Sequence, residues 1–204
     1  MTAAAGSTAG RTNQKARTRR AIVDACRELV RSGGEVTMPL VARLALVSEA
    51  TAYRYFPDLV SLLEEVIDGL WPDPAEALAP VAGSADPAER VTFACEFLLR
   101  GVLAYEGSVR AMIAHTVATP GAAARSRPGV RFGLIRQALA PFGEPGAQPA
   151  LPPAALAQLE RELAVVVSAE ALFVLTDLCG LPPEEAVASA ARAAATLTRA
   201  AFGG

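Results

Sequence analysis

The stretch VSEATAYRYFPD, residues 47–58, sets two hydroxyls, a carboxylate, two phenols and a guanidinium among small residues at helical spacing. Arginine can hold guanine through two parallel hydrogen bonds, glutamate can accept one from cytosine, and tyrosine, serine and threonine hydroxyls bind phosphate. With Ser48 as N-cap, a helix here turns Val47, Ala52 and Phe56 inward and leaves Glu49, Ala50, Tyr53 and Arg54 outward. Ser48, Ala50, Thr51 and Ala52 keep it slim enough for the major groove of duplex DNA. The spacing predicts a recognition helix in which Tyr53, Tyr55, Ser48 and Thr51 position the segment and Arg54 reads a base. Three of these groups also suit other roles. The tyrosines suit packing between neighbouring helices, Arg54 suits a phosphate as well as a base, and Glu49 suits a first helical turn, where the macrodipole favours a carboxylate.

Elsewhere the chain offers little for catalysis. His115 is the sole histidine, and Cys26, Cys95 and Cys179 are far apart with no Cys-x-x-Cys or histidine spacing, so neither a metal site nor a disulfide framework is expected. No Ser/His/Asp set and no phosphate-cradling glycine loop is present. The expectation is a protein without cofactor or enzymatic activity. No stretch has the length of a spanning helix and the N-terminus has no apolar signal segment, which predicts no membrane association and a cytoplasmic location.

The elements that must position the recognition helix follow from the apolar period. Ile22, Ala25, Cys26, Leu29 and Val30 define a first helix from about Lys15 to Ser32, ended by Gly33-Gly34. Residues 1–14 are small and polar, without period, and read as a disordered tail. Thr37 caps a second helix of barely two turns with Pro39 in its first turn. Pro57 ends the third helix, and Asp58 caps a fourth in which Leu59, Leu62, Leu63, Val66, Ile67 and Leu70 share a face. Helical patterns continue over 87–105, 108–117, 130–142, 153–178 and 183–202, with no alternating run long enough for a sheet. The fold class is all-α: a helix-turn-helix domain over 15–57 and a helical body over 58–204. Residues 1–60 carry nine Arg/Lys against five Asp/Glu and residues 61–204 ten against sixteen. A basic head on an acidic body confines contact with a polyanion to the head.

These residues resemble the TetR family of transcriptional repressors. The likeness rests on Thr18-Arg19 early in helix one, the Thr37 cap, the run Val47-Ser48-Glu49-Ala50-Thr51-Ala52-Tyr53-Arg54-Tyr55-Phe56, and Leu62-Leu63. It covers about residues 18–63; beyond them the likeness lies in helical character and in a closing pair around LCGLPPEEA. Two positions depart from the family. Leu46 stands where a turn glycine is usual, at a cost of about 1 kcal/mol if it must take positive φ. Leu59 stands where many relatives carry a phosphate-binding lysine, so affinity leans on Arg17, Arg19, Arg20 and the tyrosines.

The resemblance implies a bacterial homodimer that binds a small-molecule effector in its body and leaves a pseudo-palindromic operator when the effector binds. The last two helices are then expected to pair with those of a second subunit, through Leu163, Val166, Val167, Glu170 and Val174 and through Ala190, Ala194 and Leu197; packing only within one subunit is the alternative. Trp71, Phe93, Phe97, His115 and Phe173 lie on the helices that enclose the ligand cavity in the family. For His115 a core or surface role is the alternative to ligand contact. Arg100, Arg131 and Arg136 suit an anionic ligand or plain exposure. Helix four is the expected lever between the sites, with a coupling of about 1–3 kcal/mol. Two rival classes stand beside this one: a helical ligand-binding or scaffold protein with weakened DNA binding, and an enzyme acting in the body.

Overall fold

In the computed structural model, residues 5–32, 36–68, 70–118, 129–144 and 146–203 are described, with residues 5–11, 68, 115 and 118 described by backbone alone. The helices are α1 (Ala5–Arg31), α2 (Met38–Leu44), α3 (Glu49–Tyr55), α4 (Leu59–Asp68), α5 (Pro74–Ala77), α6 (Pro87–Ala104), α7 (Glu106–Ala118), α8 (Val130–Leu139), α9 (Pro153–Val166), α10 (Ala169–Phe173) and α11 (Pro183–Ala201). Short 3-10 turns cover Ala79–Val81 and Ala140–Gly143, a π-helical turn covers Val174–Leu178, and no strand occurs among the described residues. The all-α expectation therefore holds.

Helices α1–α4 and α7 form one compact unit, and α5, α6 and α8–α11 form a second. In the first, α1 buries Ile22, Cys26 and Val30, α2 buries Val41 and Ala42, and α4 buries Leu62, Leu63 and Val66. Burial of each large aliphatic side chain contributes about 1.5–3 kcal/mol, and α4 presents this face to α1 and α7. The boundary expected at Asp58 therefore falls inside the first unit, which continues through α4. Helix α1 also begins at Ala5 and not near Lys15. Its residues 12–17 are exposed, so the added turns rest on propagation of an existing helix, which needs no apolar face once a nucleus has formed.

In the second unit α11 lies along α6. Its buried face is almost all alanine (Ala186, Ala190, Ala191, Ala194, Ala195) and meets Val91, Ala94, Cys95, Leu98 and Leu99 of the α6 core face, so the two backbones can approach closely. Arg90 of α6 is 2% exposed. Its Nε donates to Ala138 O at 2.8 Å, Nη1 to Val81 O and Ala82 O at 2.7 and 2.9 Å, and Nη2 to Gln137 O at 3.0 Å. Every partner is a backbone carbonyl, two of them near the C-terminal end of α8, where the helix dipole favours a cation. Burial lowers the Arg90 pKa from its ordinary value.

The single helix expected over 153–178 is interrupted. Helix α9 ends at Val166, Val167 takes φ −84° and ψ 68°, and Ser168 is extended. Ser168 Oγ accepts from Ala171 N–H at 3.0 Å and donates to Val165 O at 2.8 Å. A serine that caps a new helix offers the backbone an alternative to continuing the old one.

Candidate nucleic-acid interface

Helices α2 and α3 are joined by a tight turn whose geometry is fully specified by backbone hydrogen bonds. Leu46 N–H donates to Arg43 O at 3.2 Å and Val47 N–H to Ala42 O at 2.9 Å, the paired bonds of a Schellman motif that ends α2. The motif needs a left-handed residue after the C-cap, and Leu46 supplies it with φ 57°. Its side chain is 92% exposed, so no burial offsets the strain of about 1–2 kcal/mol that a Cβ meets there. The condition set by the sequence is met: the turn does require positive φ, and a leucine stands in it.

Both capping assignments hold. Thr37 Oγ1 accepts from Leu40 N–H at 3.4 Å, and Ser48 Oγ accepts from Thr51 N–H at 3.2 Å while donating to Thr51 Oγ1 at 2.9 Å. Ala52 and Phe56 are buried and Val47 half-buried, which anchors α3 by one face. Glu49, Ala50, Tyr53 and Arg54 are exposed, Tyr53 at 46%, and Tyr55 is half-buried. Asp58 Oδ1 then accepts from Ser61 N–H at 2.8 Å and starts α4.

The cations of this unit fall into two sets. Arg19 grips the Glu65 carboxylate with both Nη atoms and lies 4.8 Å from the centroid of the Phe56 ring. Arg27 pairs with Asp24 at 2.7 Å. Arg19, expected at the nucleic acid, is thus engaged inside its own unit, where it ties α1 to α4 and to the end of α3. In contrast, Lys15, Arg17, Arg20 and Arg54 have no carboxylate partner among the described residues. An unpaired surface cation keeps its charge available for a polyanion. Leu59, at the first position of α4, is half-buried.

In the second unit Trp71 and Phe97 meet edge to face, 6.0 Å between centroids. The indole also lies over Gly101, where an added methyl group would overlap Trp71 Cη2 and come within 2.7 Å of Cζ3. Phe93 sits one turn earlier on α6, and Phe173 closes α10; both are half-buried. The side chain of His115 lies outside the described residues. Arg100 pairs with Glu96 and Glu184, Arg131 with Glu170, and Arg136 with Glu160, so all three arginines already face carboxylates. Leu163, Val167, Ala190 and Ala194 are buried within the protomer, because the break at Ser168 and the alanine face of α11 direct them to its core. They leave no surface for a partner. Val166 and Leu197 are half-buried, and the exposed apolar groups of this region are Val165, Val174 and Leu178.

Among the described residues no group of three or more His, Cys, Asp or Glu could hold a metal ion, and no helix is long and apolar enough to cross a membrane. A helix-turn-helix behind a long first helix, followed by a larger all-helical unit, is the architecture of the TetR-type regulators. A TetR transcriptional regulator from Rhodococcus sp. RHA1 superposes with a TM-score of 0.56 at 23% identity, over 90% of this chain and 97% of that one. The chain therefore has a TetR-regulator fold. No protein-family model matches the sequence, and no curated protein matches it.

Proposed function

We propose that this protein is a DNA-binding transcriptional regulator, acting in the cytoplasm as a homodimer that leaves its operator when a small molecule binds the second unit. The observation that carries the reading is α3. It is held by its buried Ala52 and Phe56, displays Glu49, Ala50, Tyr53 and Arg54, and lies in a unit with unpaired Lys15, Arg17, Arg20 and Arg54. Helices α1–α3 make the DNA contacts, with Thr37, Ser48, Thr51 and Tyr55 supplying hydroxyls to phosphates. A second copy covers Val165, Val174 and Leu178, of which Leu178 is 81% exposed, and thereby supplies the second recognition helix that a half-site pair needs. Trp71, Phe93, Phe97 and Phe173 belong to the effector-binding unit, and a ligand that prefers one arrangement of that unit shifts operator affinity by its differential binding.

The test is selection of duplexes from a random-sequence library by the full chain, followed by titration against salt. A pseudo-palindrome with half-sites about 34 Å apart and a steep salt dependence are expected. Recovery of no sequence above the random background overturns the reading and moves the helical ligand-binding or scaffold alternative forward.

A further inference from the structure

Helix α1 runs beside α3 and leaves between them a groove of about 550 Å³. Its polar lining is Gln14, Lys15 and Thr18 from α1 with Ser48, Thr51 and Arg54 from the α3 side. No carboxylate lines it, and neither Lys15 nor Arg54 has a carboxylate partner among the described residues. The three α3-side residues follow a spacing of three along one helical stripe, whereas Glu49, Ala50 and Tyr53 occupy the neighbouring exposed stripe. Arg54 also leans toward the groove, its guanidinium carbon 5.9 Å from the centroid of the Tyr55 ring, which borders the same space.

Two cations, three hydroxyls and an amide, with no competing anion, form a set of donors suited to one kind of partner. They match the charged, acceptor-only oxygens of a phosphodiester, whereas a base edge presents donors and acceptors together and is reached from the outward stripe. We infer that the α1–α3 groove seats a phosphodiester of the DNA backbone, with Lys15 and Arg54 as its cationic walls, so that Arg54 anchors the duplex and does not read a base. The inference rests on the DNA-binding function proposed above. It adds Gln14, Lys15 and Thr18 to the contact surface and leaves base discrimination to Glu49, Ala50 and Tyr53.

The experiment is equilibrium binding of the full chain to its selected duplex and to the unselected random library, each across a salt series. Wild type is compared with Lys15→Gln, Lys15→Arg, Arg54→Gln and, as control, Arg199→Gln, an exposed arginine of α11 in the second unit. Lys15→Gln and Arg54→Gln should each weaken binding to both duplex pools by the same factor and each reduce the log–log salt slope by about 0.9. Lys15→Arg should retain the wild-type slope, and Arg199→Gln should match wild type. A Lys15→Gln slope equal to wild type overturns the seat. So does an Arg54→Gln protein that loses affinity for the selected duplex alone. If wild type distinguishes no sequence from random, the DNA-binding reading itself fails and the seat fails with it, an outcome separable from the other two because it precedes any substitution.

Discussion

Replacing Arg90 with methionine tests how the second unit is held together. The side chain is 2% exposed and donates to four backbone carbonyls, from the 3-10 turn and its successor on one side and from α8 on the other. A hydrogen bond from a charged group contributes about 1.5–3 kcal/mol, but the four do not add. Val81 O keeps a second donor in Ser84 N–H at 3.1 Å, and removing the cation also removes its desolvation penalty. The expected loss is that of breaking a buried charged network, about 3–5 kcal/mol, or roughly 6–20 °C in Tm for a chain of this size. Arg90→Lys keeps the charge yet gathers its donors on one nitrogen, so it should recover less than half of the loss. Arg100 supplies the comparison from the same helix. It is 53% exposed and pairs with Glu96 and Glu184, and Arg100→Met should change stability by about 1 kcal/mol or less. Urea and thermal unfolding of the three variants decide the matter. An Arg90→Met protein within about 1 kcal/mol of wild type would refute the reasoning.

Leu46→Gly relieves the left-handed strain but adds chain entropy to the unfolded state. A net stabilisation of up to about 1 kcal/mol is expected in urea midpoints, and a destabilised variant would contradict the strain argument. Gly101→Ala should drive the Trp71 ring off α6 at about 1–3 kcal/mol. Since Trp71 is the single tryptophan, a red-shifted emission reports the displacement, and an unshifted spectrum rules it out. Burial pushes the Cys26 and Cys95 thiols up from 9.0 to about 12. The unfolded chain therefore binds fewer protons than the folded one between those values, and stability falls as pH rises from 9 toward 12, by at most about 1.4 kcal/mol per pH unit for each thiol. The drop between pH 9 and 10 should shrink in a Cys26→Val/Cys95→Val protein; equal drops would count against buried thiols as its cause. In the native protein a thiol reagent should titrate Cys179, which is exposed, and reach the other two only after denaturation.

The reading head was legible because its signals are local. Thr37, Ser48, Asp58 and Pro57 mark helix ends through bonds that span only a few residues, and the period of Ile22, Cys26, Leu62 and Leu63 marks the buried faces. Leu46 was legible in a further sense, since the need for positive φ follows from the turn itself. What escaped is long-range. The carbonyl partners of Arg90 on α8 lie 47 and 48 positions away and carry no side-chain signature, so nothing in the sequence singles that arginine out. Arg19 looks like any surface cation until Glu65 arrives from α4. Apolar periodicity ran across Val167 and Ser168 because it records which residues are apolar, not whether the helix axis continues, although a serine ahead of Ala169-Glu170 is the cap signal that marks the break. Burial of Leu163 and Ala194 depends on which neighbour each helix meets inside the protomer, and helical spacing is the same for an internal seam and a subunit seam.

The sharing of helices between the units also bears on synthesis. Helix α7 belongs with α1–α4, yet it is encoded after α6, which belongs with α8–α11. The nascent head therefore carries the α7-facing surface of α4 uncovered while the ribosome translates from Leu70 to Ala118, roughly 2–10 s at ordinary elongation rates. Helix α6 waits longer still, because α11, its most extensive partner, is the last helix made. A fragment ending at Leu70 would retain the whole helix-turn-helix and yet lack the helix that closes its core. Growth of the chain and completion of its cores are thus out of step, which makes early termination and nascent-chain aggregation the characteristic hazards of this arrangement.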